Sequence, residues 1–235
     1  MCKNGGMSAP SIRARVRAEM TEEIKAVARR HLGTDGANLS LRAVARDMGM
    51  VSSALYRYFA SRDDLLTALI IDAYNALGEA AEAADAAVAR TDLRGRWLAV
   101  GRAAREWALA NPAEYALIYG SPVPGYAAPR DTVGPAQRPA VVLIGILSDG
   151  LAADALAADP GDRLPEPVRA DLRAIAGIAF PGLPEGTLNR GMTGWIQLFG
   201  LVTFELFGRL DNAIDARTEF FEQQMGLMAD LIGIR

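Results

Sequence analysis

The sequence predicts an all-α protein in two parts: a small N-terminal unit of three helices built around a helix-turn-helix, and a larger helical C-terminal body. Three observations carry this. Apolar residues recur at helical spacing over most of the 235 residues, and 51% of the chain is hydrophobic, enough for a sizeable core. Runs rich in Gly and Pro separate the periodic stretches, as at 33–36, 121–139, 159–166 and 180–186. Charge is polarised: residues 1–62 hold eleven Lys and Arg against five Asp and Glu, a net of +6, whereas 63–235 carry −9. A basic end on an acidic body reads as a polyanion-binding module joined to something else.

Residues 1–11 are short of apolar side chains and read as a disordered arm, with Lys3, Arg13, Arg15 and Arg17 able to reach phosphates. The first helix is predicted over 12–32, with Met20, Ile24, Val27, Ala28, His31 and Leu32 along one side. His31 is the only histidine and sits at the helix end, where it reads as a packing or capping residue.

Residues 40–59 read as two short helices and a turn. Leu41, Val44, Ala45 and Met48 form one apolar stripe, Ser40 is placed as N-cap and Gly49 as the stop. Val51, Leu55 and Phe59 make a second stripe, with Ser52 or Ser53 as its cap, and Ser53, Tyr56 and Arg57 on the other face. Polar and aromatic residues on a short second helix suit a DNA major groove.

The fourth helix opens at Ser61, with Asp64 completing a capping-box-like pattern, and carries Leu65, Leu66, Leu69, Ile70 and Ala73 on a broad apolar face. It links the N-terminal unit, 12–77, to the body, 78–235, through an Ala/Glu/Asp-rich segment at 78–92 expected to be loose. Further helices are predicted over 92–110, ended by Asn111-Pro112, and over 112–119, 134–158 and 167–179. The long loop at 121–139 is expected to gate a site. The last two helices, 187–209 and 217–234, are apolar over most of their circumference and need burial on two sides, either both within their own domain or one of them against a second copy of the chain.

The string Ser-Leu-Arg-Ala-Val-Ala-Arg-Asp-Met-Gly-Met-Val-Ser-Ser-Ala-Leu-Tyr-Arg-Tyr-Phe at 40–59, followed by Ala-Ser-Arg-Asp-Asp-Leu-Leu, resembles the DNA-binding domain of tetracycline-repressor (TetR) family regulators. It departs from that pattern at Met50, where the family has Val, and at Ser53, where many members carry Lys. Residues 107–120 resemble a C-terminal ligand domain common in the family. The resemblance implies double-stranded DNA contacts from Ser40, Arg42, Ser52, Ser53, Ala54, Tyr56, Arg57, Tyr58 and Arg62. Arg42 would reach a base or phosphate, Tyr56 and Tyr58 would donate to phosphates, and Ala54 would touch a thymine methyl. It further implies a homodimer on a palindromic operator, acting as a ligand-responsive repressor; an activator or a ligand-independent DNA-binding protein of the same fold is the alternative. Candidate ligand contacts are Trp97, Arg102, Trp107, Tyr115, Tyr119, Asp149, Trp195, Gln197 and Phe199, for a small apolar or amphipathic effector.

Other classes fit poorly. Cys2 is the only cysteine, which rules out an intrachain disulfide and suits a reducing cytoplasm. No secretory h-region is visible, and the longest apolar run, 140–147, falls far short of the roughly 20 residues of a membrane span. No His/Cys/carboxylate cluster has metal spacing, no cofactor is expected, and a hydrolytic triad would need His31, which lies in the basic unit. An enzyme is therefore not expected.

Overall fold

The computed structural model describes residues 12–36, 38–157 and 164–234. Among these the chain forms ten α-helices: α1 Ile12–Asp35, α2 Leu41–Asp47, α3 Ser52–Leu55, α4 Arg62–Ala86, α5 Leu93–Ala110, α6 Pro112–Tyr119, α7 Val133–Ala152, α8 Glu166–Ala179, α9 Glu185–Leu206 and α10 Arg217–Leu231. A 3-10 turn, Arg130–Thr132, precedes α7. The expected arm at 1–11 and most of the 159–166 linker lie outside the described residues.

Helices α1 to α3 and the start of α4 close one core. Ile24, Val27, Ala28 and Leu32 from α1 meet Leu41, Val44 and Ala45 from α2, Leu55 and Phe59, and Leu65, Leu66 and Leu69 from α4. Each fully buried Leu or Ile contributes about 1.5–3 kcal/mol over an exposed one. The Ser40 hydroxyl accepts from the Ala43 N–H at 3.4 Å and Ser61 from the Asp64 N–H at 3.1 Å, so both predicted caps form. Gly49 closes α2 at φ +65, while the Met50 N–H donates to the Ala45 carbonyl at 2.8 Å. Ion pairs brace this unit: Asp72 of α4 receives Lys25 at 2.7 Å and Arg29 at 2.5 Å, and His31 meets Asp47 at 2.7 Å. Burial alone would lower the pKa of Lys25, but its bonds to Asp72 and Glu22 outweigh burial and the net shift is upward.

A second core fills the body, centred on Trp97, whose indole N–H donates to the Met225 carbonyl at 3.1 Å. A Cβ on Gly101 would come within 2.2 Å of Met225 Cε, and one on Gly194 within 2.7 Å of the Trp97 ring. Those two glycines let α5 close on α10 and α9 on α5. A third cluster joins Ile144 of α7 with Leu172 and Ala176 of α8, Leu183, and Leu188 of α9.

Several expected boundaries are corrected. Neither Ser52 nor Ser53 caps α3: Val51 holds the extended cap position without a side-chain bond, and both serines lie in the helix. Val51 leaves the apolar stripe altogether, at 71% exposed. The segment 78–92 is not loose throughout, because α4 continues to Ala86. Gly78 and Ala81 are buried there, Glu82 takes a bidentate bond from Arg138 at 2.9 and 2.8 Å, and Asp85 accepts from Arg96 at 2.7 Å. Ala and Glu are strong helix formers, and those bonds hold the extra turns. Helix α7 stops at Ala152 rather than near 158, since Asp154 takes φ 52 and the Ala157 N–H turns back to the Gly233 carbonyl at 2.7 Å. Gly233, at φ 87, ends the last helix short of 234.

Candidate nucleic-acid interface and the cavity behind it

The N-terminal unit presents one shallow, open groove of about 520 Å³. Ser40 and Arg42 from the start of α2, Tyr56 after α3, and Ser61 and Arg62 at the start of α4 border it. Two helix N-termini, each capped by its serine, therefore open beside one another and present their positive dipole ends to an anion. Arg62 is braced by its Nε bond to the Leu39 carbonyl at 3.2 Å. Arg42, Ser53, Tyr56 and Arg57 are exposed, while Ser52 and Ala54 are half-buried on α3. Tyr58 is half-buried beneath Arg17, whose guanidinium carbon stands 5.0 Å from its ring centre, and Arg17 also donates to the Arg57 carbonyl at 2.8 Å. Of the nine candidate DNA residues, Ser40, Arg42, Tyr56 and Arg62 share the groove; Ser52, Ser53, Ala54 and Arg57 lie on or just after α3, and Tyr58 packs under α1.

Behind this unit lies a cavity of about 720 Å³, opening between α4, α6, the 120–128 loop, α7 and α9. A smaller chamber of about 150 Å³ lies between α7, α8 and α9, and the two share Gln137, Ala140 and Trp195. Aromatic rings wall the larger chamber. Tyr119 stacks on Phe199 at 4.3 Å and 16°, and meets Tyr74 edge-on at 6.1 Å and Tyr115 at 5.2 Å. Trp195 packs edge-on to Phe199 at 6.2 Å. The Tyr115 hydroxyl is satisfied by the Phe199 carbonyl at 2.9 Å and Thr203 at 2.8 Å, and burial pushes its pKa up to about 12. Tyr119 differs. Burial raises its pKa strongly, and the nearby Trp195 indole works the other way, yet the two do not meet in hydrogen-bond geometry. The Tyr119 Oη and Trp195 Nε1 atoms are buried with no protein partner. Leaving such a group unmet costs about 1–3 kcal/mol.

Not all nine candidate ligand residues reach this cavity. Tyr119 and Trp195 line it, and Tyr115 and Phe199 support them from behind. Trp97 is sealed in the core. Arg102 is engaged with Glu222 of α10 through two 2.6 Å bonds. Trp107 borders a separate cleft with Arg29 and Asp72, and Gln197 is exposed on the outer face of α9. Asp149 belongs to an ion-pair knot, where it accepts from Arg90 and, at 2.9 Å, from Arg96, which is only 1% exposed and also holds Asp85. Polar residues in apolar helices here serve inter-helix pairing, which spacing alone cannot separate from ligand binding.

Two residues that sequence reasoning misses are Tyr74 and Tyr126. Tyr74 of α4 donates to the Ile118 carbonyl at 3.2 Å, and Tyr126, inside the Pro- and Gly-rich loop, lies 2.8 Å from Thr67 of α4. Tyr126 lines the cavity and also packs on the N-terminal core, together with Ala113, Leu117 and Val123. One wall of the cavity is thus also a support of the groove-bearing unit.

The outer faces of α9 and α10 expose Ile196 (58%), Phe204 (54%), Leu227 (54%) and Leu231 (57%). Between them Gly200, Leu201, Phe204, Phe220 and Met228 line a further apolar depression.

No helix among the described residues is long and apolar enough to cross a membrane. Residues 24–69 match the profile described as bacterial regulatory proteins of the tetR family, and residues 97–228 match that of the tetracyclin repressor-like C-terminal domain. The chain is 39% identical over 223 residues to the HTH-type transcriptional regulator Rv1816 of Mycobacterium tuberculosis, covering 92% of this chain and 93% of that one. The HTH-type transcriptional regulator Mb1846 of Mycobacterium bovis matches to the same extent. The crystal structure of the regulatory protein SCO4313 superposes with a TM-score of 0.76 at 34% identity, over 92% of this chain and 98% of that one. The fold also matches PfmR, a TetR family transcriptional regulator from Thermus thermophilus, at a TM-score of 0.58 and 18% identity, over 90% of this chain and 98% of that one. With a helix-turn-helix beside a basic groove, a helical body behind it and relatives that are transcriptional regulators along nearly its whole length, the chain belongs to the TetR family of DNA-binding transcription regulators.

Proposed function

We propose that the protein is a ligand-responsive repressor, working in the cytoplasm as a homodimer on a palindromic operator. Its DNA-binding domain spans about 12–77 and its ligand and dimerisation domain 78–235. The observation that carries this reading is the course of α4. The helix begins at Arg62 on the groove and lines the cavity at Ile70 and Tyr74, about 12–18 Å further along at 1.5 Å per residue. A molecule that spreads or tightens the cavity acts on the helix that positions the groove.

The dimer reading rests on the exposed apolar stripes of α9 and α10, which a second copy would cover as a four-helix interface. Two grooves held at a fixed distance then match two half-sites, and an effector that alters that distance weakens both. Ser40, Arg42, Tyr56 and Arg62 contact phosphates at the groove, while Ser53, Ala54 and Arg57 address base edges. The test is fluorescence anisotropy on a duplex selected by the protein from a random library, with Phe204→Asp compared against the wild type. The variant is expected to be monomeric in sedimentation and to lose most of its affinity for the paired site; a variant that stays dimeric would overturn the interface.

A further inference from the structure

We infer that the cavity takes an uncharged, flat aromatic molecule carrying a carbonyl-type hydrogen-bond acceptor, presented to Trp195 Nε1 and Tyr119 Oη. This rests on the reading that the cavity is a ligand site, and it narrows the ligand to one chemical class.

Charge comes first. Among the described residues, no Asp, Glu, Lys, Arg or His lines either chamber. Arg138, next in sequence to the lining residue Gln137, is turned elsewhere, held by Glu82 and Asn75 on α4. A carboxylate or an ammonium entering this cavity would leave water and find no counter-charge, a transfer that proteins avoid by pairing or neutralising the ion. A neutral ligand meets no such barrier.

The polar demand comes second. An indole N–H can only donate, and a phenol can donate or accept. Both are buried on residues that line the larger chamber, and both lack a protein partner. A carbonyl oxygen, with two lone pairs, satisfies both with a single atom. Buried polar groups are nearly always paired, so this orphaned pair marks where a ligand atom belongs.

Shape comes third. The rings of Tyr74, Tyr119, Tyr126 and Trp195 line the larger chamber, and Tyr74 stands at 81° to Tyr119, so an aromatic ring entering it can stack on one and meet another edge-on. Past Trp195, the small chamber is walled mainly by Ile144, Ile175, Phe180, Leu188 and Met192, with Gln137 shared with the larger chamber, which suits a mostly hydrocarbon end.

The test uses a matched trio of fluorescent naphthalenes titrated into the full-length protein without DNA. They are the neutral ketone Prodan (a propionyl-dimethylaminonaphthalene), its carbonyl-free parent dimethylaminonaphthalene, and the anion dimethylaminonaphthoate. Prodan should bind about tenfold more tightly than either of the others, the factor carried by a hydrogen bond of about 1.4 kcal/mol. Tyr119→Phe, which keeps the ring and its stacking, and Trp195→Phe should each weaken Prodan by a similar factor and shift its emission to the blue, leaving the carbonyl-free parent unchanged. Binding of the naphthoate as tight as that of Prodan, equal loss for ketone and parent in both variants, or binding of none of the three would overturn the assignment. Because no DNA is present, the outcome is independent of repression: a ketone that binds as stated but leaves operator affinity unaltered would overturn the ligand-responsive reading alone.

Discussion

Arg42 and Tyr56 border the same groove from two different elements, and neither is needed by the core. Arg42→Ala and Tyr56→Ala should therefore leave the circular dichroism spectrum and melting curve unchanged while removing operator binding in gel shift. A charge-assisted contact is worth about 1.5–3 kcal/mol and a dimer loses it twice, so the arginine variant should weaken binding by about a hundredfold or more. Arg96 is the opposite kind of residue. Buried and shared by Asp85 and Asp149, it ties the end of α4 to α5 and α7. Arg96→Ala should cost stability toward the lower end of about 3–5 kcal/mol, because Asp149 is half exposed and can rehydrate, and urea unfolding would read it. Asp85 also gives the fold a pH dependence. Burial pushes its pKa up, but the bonds from Arg96 and Arg90 outweigh burial and hold it below the ordinary 3.8. A carboxylate with a depressed folded pKa stabilises fully above its unfolded value and loses that contribution as pH falls through the folded one. Stability should therefore hold at neutral pH and decline below about pH 4, and Asp85→Asn should flatten that decline.

At the scale of elements, α4 and the 120–128 loop are the parts that join groove and cavity. Tyr126 is bonded to Thr67 and packed on the N-terminal core while lining the cavity, so it is placed to pass on a change in the cavity wall. Tyr126→Phe should leave Prodan affinity within about threefold and reduce the effect of ligand on operator affinity, by an amount within the roughly 0.5–1.5 kcal/mol of one hydrogen bond; anisotropy with and without ligand would show it. How far these elements can be read from sequence varies with how local their causes are. The α2 cap at Ser40, the Gly49 stop and the α4 cap at Ser61 are set within a few residues and are legible in full. The start of α3 is not, since Ser52 and Ser53 look like caps until the chain direction at Val51 is known. The second half of α4 escapes notice because Gly78 and Ala81 bury as small residues and leave no apolar stripe. The cavity is legible only in fragments. Its walls come from stretches far apart in sequence, and Arg102 and Asp149 read as ligand-orienting groups until their partners Glu222, Arg90 and Arg96 come into view.

For the whole molecule, the division of charge foreseen in the sequence becomes a division of labour. The basic unit offers one short α3 and a few groove contacts, too little to select a site by itself. In the proposed dimer, pairing two such units through α9 and α10 would supply the second half-site and make their spacing the variable that matters. If cavity and groove share an energy through α4, thermodynamic linkage requires that sharing to be reciprocal. The direct measurement is the operator affinity at zero and at saturating Prodan, paired with the Prodan affinity of free and DNA-bound protein. Both affinities are expected to fall by one common factor, within the range of about 5–150 that such coupling spans. Operator affinity that stays the same while the cavity is filled would contradict it.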